Sequence, residues 1–456
     1  MDIEKIVLDQ RAYFKTGLTL PLENRKNNLE SIYQLLLKYR KRFNEAFMLD
    51  YNKSEFDVLS TEYYLLLEDC KFQIKNLRKL SKPKRVRTGI LNFPSRGYLL
   101  QEPYGVTLIM APWNYPLQLA LDPLMGAIAA GNTAVVKPAS YAANVSRVIY
   151  DMFQEFNNPN LVSVVLGGRD ENQALLDQRF DYIFFTGGDA VGRIVLEKAA
   201  KWLTPVSLEL GGKSPCIIDE DADIKLAAKR AVWGKYLNAG QTCVAPDYVC
   251  VHESVHDQFI KEAINYVKTF YYVDGKISDA FPYLINDKHL QKVYSFLDPN
   301  KIVYGGKISG RSFEPTIMDR VTWDDPIMQA EIFGPIMPII TFNNLDELLS
   351  IINGKEKPLA FYYFSKNVKK AKYVMSLSSF GGGCVNDTIM HLTNNNLPFG
   401  GVGRSGMGSY HGAQSFKTFS HQKSVLVKGK LEINTKYPPN TPQSLKMIKK
   451  LGHIKD

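Results

Sequence analysis

The sequence predicts an α/β fold built on parallel sheets. From residue 104 onward, short apolar runs of strand length alternate with stretches of helix length, and a glycine-containing turn at 187–192 follows one of these runs. Such alternation is typical of β-α-β units, in which ligands bind at the carboxyl ends of the strands. The predicted strands are Val106–Met110, Thr133–Val136, Val162–Leu166, Tyr182–Phe185 and Val206–Leu210, and the helices between them are Leu117–Ala130, Ala142–Phe156, Glu171–Gln178 and Gly192–Trp202.

Two helices are predicted ahead of this region. Apolar residues recur every three or four positions within residues 26–50, which indicates an amphipathic helix. A second helix is expected over residues 59–80, and Pro83 interrupts the pattern after it. The apolar positions of the first helix are Leu29, Ile32, Leu36, Tyr39 and Phe43.

A second alternating set follows residue 211 and predicts a second α/β layer. A loop rich in Gly and Asn, residues 393–408, then leads to a basic tail. The expected helices of this set are Ile224–Leu237 and Val255–Phe270, and its expected strands are Tyr248–His252, Pro338–Phe342, Ala360–Phe364 and Cys384–Asn386.

Composition narrows the class of protein. A chain of 456 residues with 45% hydrophobic content can form two or three domains with a sizeable core. Five widely separated cysteines without a C-x-x-C pair favour reduced thiols, so we expect a cytoplasmic protein. No signal peptide or apolar run long enough for a membrane span is visible, and no integral membrane segment is expected. The net charge is +10, but the basic segments contain no motif that reads nucleic acid, so no nucleic acid is expected as a partner.

One thiol and one carboxylate carry the most specific chemical information. Cys243 lies in the run Asn-Ala-Gly-Gln-Thr-Cys, and Glu209 opens Glu-Leu-Gly-Gly-Lys. A thiolate in a glycine-containing turn can attack a carbonyl carbon, and a nearby carboxylate can activate water to break the resulting thioester. The alternative for Glu209 is that it binds the adenosine ribose, because it lies 17 residues after Gly192 of the glycine turn.

Further motifs occur with this pair in a recognisable order, and together they resemble the aldehyde dehydrogenase superfamily over residues 10–440. The similarity is greatest to the shorter class-3 branch, which includes fatty and aromatic aldehyde dehydrogenases. The motifs are Ala-Pro-Trp-Asn-Tyr-Pro at 111–116, Val-Lys-Pro at 136–138, Phe-Thr-Gly-Gly at 185–188, Glu-Ile-Phe-Gly-Pro at 331–335 and Pro-Phe-Gly-Gly-Val-Gly-Arg-Ser-Gly at 398–406.

The resemblance implies roles for the residues of the expected reaction. Cys243 would be the nucleophile, the Asn114 amide and the Cys243 backbone N–H would stabilise the oxyanion, and Glu209 would activate the deacylating water. An intact base at 209 argues for a free carboxylic acid as product. The cofactor residues that the resemblance implies are Trp113, Lys137, Ser140, Gly187, Gly188, Gly192, Glu331 and Phe333.

The cofactor is expected to be NAD or NADP. Many relatives carry an acid where this chain has Ser140, and that acid would repel a 2′-phosphate, so both dinucleotides are expected to serve. Gly188 stands where relatives often have Ser, and Asp189 adds a negative charge near the pyrophosphate. The histidines show no metal-ligand spacing, so no metal is expected.

The resemblance also implies the architecture: two doubly wound domains, one of them Rossmann-like, and a β-strand arm that joins subunits into a homodimer. The expected substrate is a medium-chain aliphatic or aromatic aldehyde, with Tyr115 and Ile389 near it. Two alternatives stay open: a reductive enzyme acting on acyl thioesters or acyl phosphates, and a catalytically idle binding protein. The expected ranges are 1–81 with 104–210 for the NAD(P)-binding domain, 211–408 for the catalytic domain, 82–103 with 409–430 for the arm, and 431–456 for the tail.

Overall fold

The computed structural model describes residues 2–432 and 436–455, and the chain divides into two compact units. The larger comprises residues up to Leu80 together with Pro103–His421, and the smaller comprises Ser81–Glu102 and the chain from Gln422 onward. Fifteen α-helices are found among the described residues: α1 Ile3–Lys15, α2 Leu22–Tyr51, α3 Glu55–Val58, α4 Tyr64–Ser81, α5 Gln118–Ala130, α6 Ala143–Phe156, α7 Arg169–Leu176, α8 Asp189–Ala200, α9 Ile224–Tyr236, α10 His256–Tyr271, α11 Asp287–Tyr294, α12 Leu345–Asn353, α13 Val368–Leu377, α14 Ala413–Thr418 and α15 Pro442–Leu451.

The smaller unit contains an antiparallel pair of strands, β1 Lys84–Val86 and β2 Ser95–Pro103, which pair from Lys84 with Leu99 to Val86 with Gly97. A third strand, β20 Ser420–Lys428, lies on the other side of β2. The expected arm therefore consists of strands, although residues 409–421, which we assigned to it, group with the larger unit. Helix α14 lies in that stretch and packs on α5.

The first sheet of the larger unit has six strands in the order β19-β7-β6-β3-β4-β5. All neighbours are parallel except β19, which pairs antiparallel with β7. The order reverses between β3 and β6, and such a switch point opens a ligand crevice at the carboxyl ends of the strands. The strands are β3 Val106–Met110, β4 Thr133–Lys137, β5 Val162–Val164, β6 Tyr182–Thr186, β7 Val206–Glu209 and β19 Gly406–Met407.

The second sheet has seven strands in the order β12-β15-β16-β9-β8-β17-β18, all parallel except the edge strand β12. Two short hairpins, β10 with β11 and β13 with β14, lie outside it. The strands of this region are β8 Pro215–Ile218, β9 Tyr248–His252, β10 Tyr272–Val273, β11 Lys276–Ile277, β12 Ile302–Tyr304, β13 Ile308–Ser309, β14 Ser312–Phe313, β15 Thr316–Met318, β16 Ile336–Phe342, β17 Ala360–Phe364 and β18 Gly382–Val385.

The α/β class with parallel sheets is thus confirmed, and every strand that the apolar runs predict is present. Except in β18, which is half-buried, nearly all of their side chains are buried on both faces, as continuous apolar runs require. The division at residue 210 stays a prediction, and one strand crosses it: β19 lies within 211–408 but pairs with β7 of the first sheet. Among the described residues, no helix is long and apolar enough to cross a membrane.

Candidate active site

The cavity at the switch point of the first sheet joins residues that are far apart in sequence. Strand β3 leads into the loop that carries Trp113 and Asn114, strand β6 leads into Gly187 and Gly188, and β7 ends at Glu209. Cys243 enters the same cavity from the segment between α9 and β9. The lining residues are Pro112, Trp113, Asn114, Leu119, Thr186, Gly187, Gly188, Glu209, Leu210, Gly211, Cys243, His289, Lys292, Glu331 and Phe333.

The segment before Cys243 has an unusual backbone. Asn238 and Ala239 both adopt a φ of 53°, in the left-handed region that non-glycine residues rarely enter. The side-chain amide of Asn238 donates to the Asn114 carbonyl oxygen at 2.9 Å. The strained turn therefore ties the thiol segment to the asparagine loop, as is common where a site must be held in one geometry.

Asn114 and Glu209 are fixed by their backbones. Asn114 is 3% exposed, and the hydroxyl of Tyr51 donates to the neighbouring Trp113 carbonyl. Glu209 is paired on both sides, with Thr186 of β6 and Gly406 of β19. Both carboxylate oxygens of Glu209 are buried without a hydrogen-bond partner. Burial alone therefore raises its pKa well above the usual range, which makes it a stronger base than an exposed carboxylate.

The thiol of Cys243 lies in the same field. Burial, and after it the nearby carboxylates of Glu331 and Glu209, raise its pKa to about 12, although backbone N–H groups at Cys243 and Val244 act in the opposite direction. Burial also raises the pKa of Glu331 to about 7. The cavity thus concentrates three groups whose protonation is easily changed by a bound charge, an arrangement that is common at catalytic sites.

The comparisons with known proteins decide the family. The aldehyde dehydrogenase family profile matches residues 1–425. This chain belongs to the aldehyde dehydrogenase family. It is 45% identical over 442 residues to the 4,4′-diaponeurosporen-aldehyde dehydrogenase of Staphylococcus aureus, covering 96% of each chain. It is 44% identical to the mouse aldehyde dehydrogenase family 3 member A2, over 98% of this chain and 93% of the relative.

Solved structures agree. A Staphylococcus aureus structure described as the substrate-bound state of AldH superimposes with a TM-score of 0.96 at 44% identity, covering 99% of this chain and 100% of the other. The NAD⁺ complex of a Bacillus cereus aldehyde dehydrogenase superimposes with a TM-score of 0.85 at 25% identity, over 94% and 89% of the two chains. The protein is an NAD(P)-dependent aldehyde dehydrogenase, and the resemblance read from its motifs is confirmed.

The cavity of this aldehyde dehydrogenase fits a nicotinamide dinucleotide. Trp113 and Phe333 form an edge-to-face pair with ring centroids 5.3 Å apart, which provides an apolar wall. Oε1 of Glu331 is buried without a partner and can accept from a ribose hydroxyl. The backbone N–H groups that precede the first hydrogen bond of α8, from Val191 to Gly188, suit a pyrophosphate.

Some predicted cofactor residues lie outside this cavity. Lys137 is 3% exposed, and its ammonium donates to the carbonyls of Pro138 at 2.9 Å and Gly167 at 2.7 Å. Ser140 is exposed one turn beyond β4. The predicted helix start at Gly192 is wrong, because α8 begins at Asp189 and Gly192 is buried inside it. A Cβ there would lie 2.8 Å from Leu210 Cδ2, so this glycine permits close helix–sheet packing.

Neither residue predicted near the substrate lines the cavity. Tyr115 is buried, and its hydroxyl hydrogen-bonds the Thr242 hydroxyl at 2.6 Å. Ile389 is 4% exposed and adopts a φ of 63°, a strained value for a β-branched residue. Their roles toward substrate stay predictions.

Sequence reasoning missed His289 because it searched histidines only for metal-ligand spacing. The imidazole Nε2 lies 2.7 Å from the Phe333 carbonyl, to which it donates, and the ring packs edge-on against Trp113 at 5.1 Å. Burial lowers the pKa of His289 to about 4, so the ring is neutral near pH 7. The sequence signal was Asn286, whose side chain caps α11 and sets His289 on its first turn. Among the described residues, no cluster of three or more His, Cys, Asp or Glu could hold a metal.

The negative charge of Asp189 at the N-terminus of α8 is offset by two arginines. Asp189, the first residue of α8, pairs with Arg193 one turn later at 3.3 Å and with Arg404 of the glycine-rich loop, also at 3.3 Å. The carboxylate that the sequence places beside the phosphates is therefore neutralised by two guanidinium groups.

Proposed function

We propose that this enzyme oxidises a medium-chain aliphatic or aromatic aldehyde to the free carboxylic acid through a covalent bond to Cys243. The observation that carries the proposal is the meeting of Cys243, Asn114 and an unpartnered Glu209 in one buried cavity. Such a set provides a nucleophile, an oxyanion donor and a base within one site.

The residues can divide the reaction into two balanced steps. The Cys243 thiol gives its proton to water, its sulfur bonds to the aldehyde carbon as the carbonyl π electrons move to the oxygen, and the Asn114 amide donates to the resulting oxyanion of the thiohemiacetal. Bound dinucleotide supplies the acceptor for the hydride that leaves this carbon. Glu209 then takes a proton from a water molecule as that water attacks the thioester, the C–S bond breaks to release the acid, and Glu209 returns the proton to the sulfur.

Both NAD and NADP are proposed as cofactors. The support is that Ser140 is exposed and uncharged where an acid would repel a 2′-phosphate. A canine relative named a dimeric, NADP-preferring aldehyde dehydrogenase is 40% identical over 96% of this chain. Steady-state kinetics with each dinucleotide test this; an NAD selectivity above about a thousandfold would contradict it.

A panel of aldehydes, read by absorbance of reduced nicotinamide, tests the substrate class. We expect kcat/KM to be highest for medium-chain or aromatic aldehydes and Cys243→Ser to abolish turnover. The reductive alternative predicts instead oxidation of reduced dinucleotide by an acyl thioester or acyl phosphate, and an idle binding protein predicts neither activity.

We further propose that the enzyme is cytoplasmic and homodimeric.

A further inference from the structure

Helix α5 begins immediately after the Asn114 loop, and it is capped by a residue far away in sequence. Its N-cap residue, Leu117, offers no side-chain hydrogen bond. Instead, Oε2 of Glu62 accepts from the backbone N–H of Leu117 at 3.2 Å and of Gln118 at 2.9 Å. The position at which this helix starts, four residues after Asn114, thus depends on the Glu62 carboxylate.

Glu62 is itself held by local structure and by a buried cation. It lies in a π-helical turn, Leu59–Tyr63, an irregularity frequent at functional sites. Its Oε1 is 3.4 Å from the ammonium of Lys53, and both side chains are at most 1% exposed. Burial raises the pKa of Glu62 and lowers that of Lys53, and the attraction within the pair opposes both shifts.

The same pair touches the other side of the active site. The Lys53 ammonium lies 4.7 Å from the centroid of the Tyr115 ring, and the Tyr115 hydroxyl bonds Thr242, the residue before Cys243. The loop that carries Asn114 is therefore fixed at its end by Glu62 and in its middle by Tyr115. Neither Lys53 nor Glu62 is among the described residues that line the catalytic cavity.

Stability alone is a weak reason for this arrangement. A buried ion pair loses its hydration, and apolar residues of similar volume often stabilise a fold equally well or better. What apolar residues would lack is the acceptor for the two N–H groups of α5. We propose that Glu62, with Lys53 as its counter-ion, is a positioning residue that sets where α5 starts and thereby aims the Asn114 amide at the oxyanion. This inference rests on the proposed role of Asn114.

Two double variants that remove both buried charges test whether the hydrogen-bond acceptor at position 62 is what matters. K53M/E62Q keeps an amide oxygen that can accept from Leu117 and Gln118, whereas K53M/E62L fills similar volume without an acceptor. We expect both proteins to fold, with the kcat of aldehyde oxidation near wild type in K53M/E62Q and about 10- to 100-fold lower in K53M/E62L, less than the loss of a whole oxyanion donor. Equal kcat in the two variants would overturn the inference.

A double-mutant cycle with Asn114→Ala tests the route of the effect. If Glu62 acts through Asn114, K53M/E62L lowers the kcat of N114A no further, within about twofold. The matched control is Asn344→Ala, because Asn344 accepts from the backbone N–H groups of Asp346 and Glu347 and so caps α12, whose residues do not line the catalytic cavity. Any loss of kcat in N344A is expected to multiply with that of N114A.

The outcomes are distinguishable from failure of the proposed function. If wild type oxidises no aldehyde, or N114A keeps wild-type kcat, the proposed function fails. If N114A loses kcat but K53M/E62L multiplies that loss, only the positioning role fails. Titration of each variant with reduced dinucleotide, followed by its fluorescence, is expected to give wild-type Kd values; a weakened Kd in K53M/E62L would contradict a role confined to Asn114.

Discussion

Cys243 is protonated in the free protein at neutral pH because burial, Glu331 and Glu209 all disfavour its thiolate. The reactive form must therefore arise when charge enters or leaves this cavity. At the residue scale, the carboxylates act against the nucleophile until the site is filled, which limits unproductive reactions of the thiol.

Replacing Glu331 by Gln removes the larger of the two carboxylate effects on the thiol. We expect iodoacetamide to alkylate Cys243 about three to ten times faster in E331Q than in wild type at pH 8, since each pKa unit is tenfold in thiolate. The difference should vanish below about pH 6, where Glu331 is itself protonated. Cys243→Ser in each background corrects for other thiols, and an unchanged rate at pH 8 would contradict the electrostatic account.

Glu331 also links stability to pH. Its folded pKa of about 7 lies above the ordinary 4.5, so the folded state binds its proton more tightly, and stability is lost as pH rises from about 4.5 to 7. We expect E331Q to lack this loss. The free energy of unfolding of E331Q, measured relative to wild type, should therefore rise by about 2–3 kcal/mol between pH 5 and pH 8. Urea unfolding at the two pH values measures it; a constant difference would show that Glu331 does not titrate in this range.

At the scale of the element, the N-terminus of helix α8 depends on a residue from a distant loop. This N-terminus suits phosphate, yet its first side chain is Asp189, whose negative charge is offset by ion pairs with Arg193 and Arg404. Arg404 comes from a loop more than two hundred residues away, so its pairing is a property of the fold.

Arg404→Gln should weaken the binding of reduced dinucleotide by about two- to fivefold, the size expected for one partly exposed ion pair. Arg193→Gln removes the same charge from the same carboxylate and is expected to act similarly. Asp189→Asn should offset either change. Fluorescence titration at low and high salt measures this, and insensitivity of all three variants would show that Asp189 does not face the phosphates.

The sequence was most informative for elements whose signal is local. Strands β3, β9 and β17 match the predicted bounds because continuous apolar runs indicate strands buried on both faces. Helix α8 starts three residues earlier than predicted because Gly188, not Gly192, is its N-cap. The cap of α5 was not predictable, since Glu62 reaches it through tertiary structure rather than through a neighbouring position.

Among the site residues, those within motifs were predictable from the sequence and His289, which lies outside them, was not. Cys243, Asn114, Glu209, Glu331 and Phe333 line one cavity, as their motifs led us to expect. His289 was missed because the Asn286 cap indicates only where α11 starts, and the place of His289 beside Trp113 depends on the packing of that helix.

At the scale of the whole molecule, the three-stranded sheet leaves a long edge. Strand β20 lies at the edge of the order β1-β2-β20, and almost all of its side chains are exposed, including Val425, Leu426 and Val427. Natural proteins rarely leave so long an apolar edge uncovered, because it invites pairing with another chain. A second copy of this chain is the expected cover.

Leu426→Lys is predicted to weaken that pairing. Light scattering coupled to gel filtration should give twice 51.6 kDa for wild type and a shift toward 51.6 kDa for the variant, because a charge in an apolar interface is costly. An exposed residue of the same strand, His421→Lys, is the control for charge alone. A wild-type mass of one chain, or a variant that stays dimeric, would contradict the dimer through β20.

The covalent role of Cys243 can be tested most directly by intact-mass spectrometry of Glu209→Gln mixed with aldehyde and oxidised dinucleotide. Because loss of the base slows hydrolysis more than hydride transfer, we expect a protein heavier by the aldehyde less two hydrogens, with the added mass on the Cys243 peptide and one reduced dinucleotide formed per chain. Reduced dinucleotide formed over many turnovers without any adduct, or an adduct on another residue, would contradict the account.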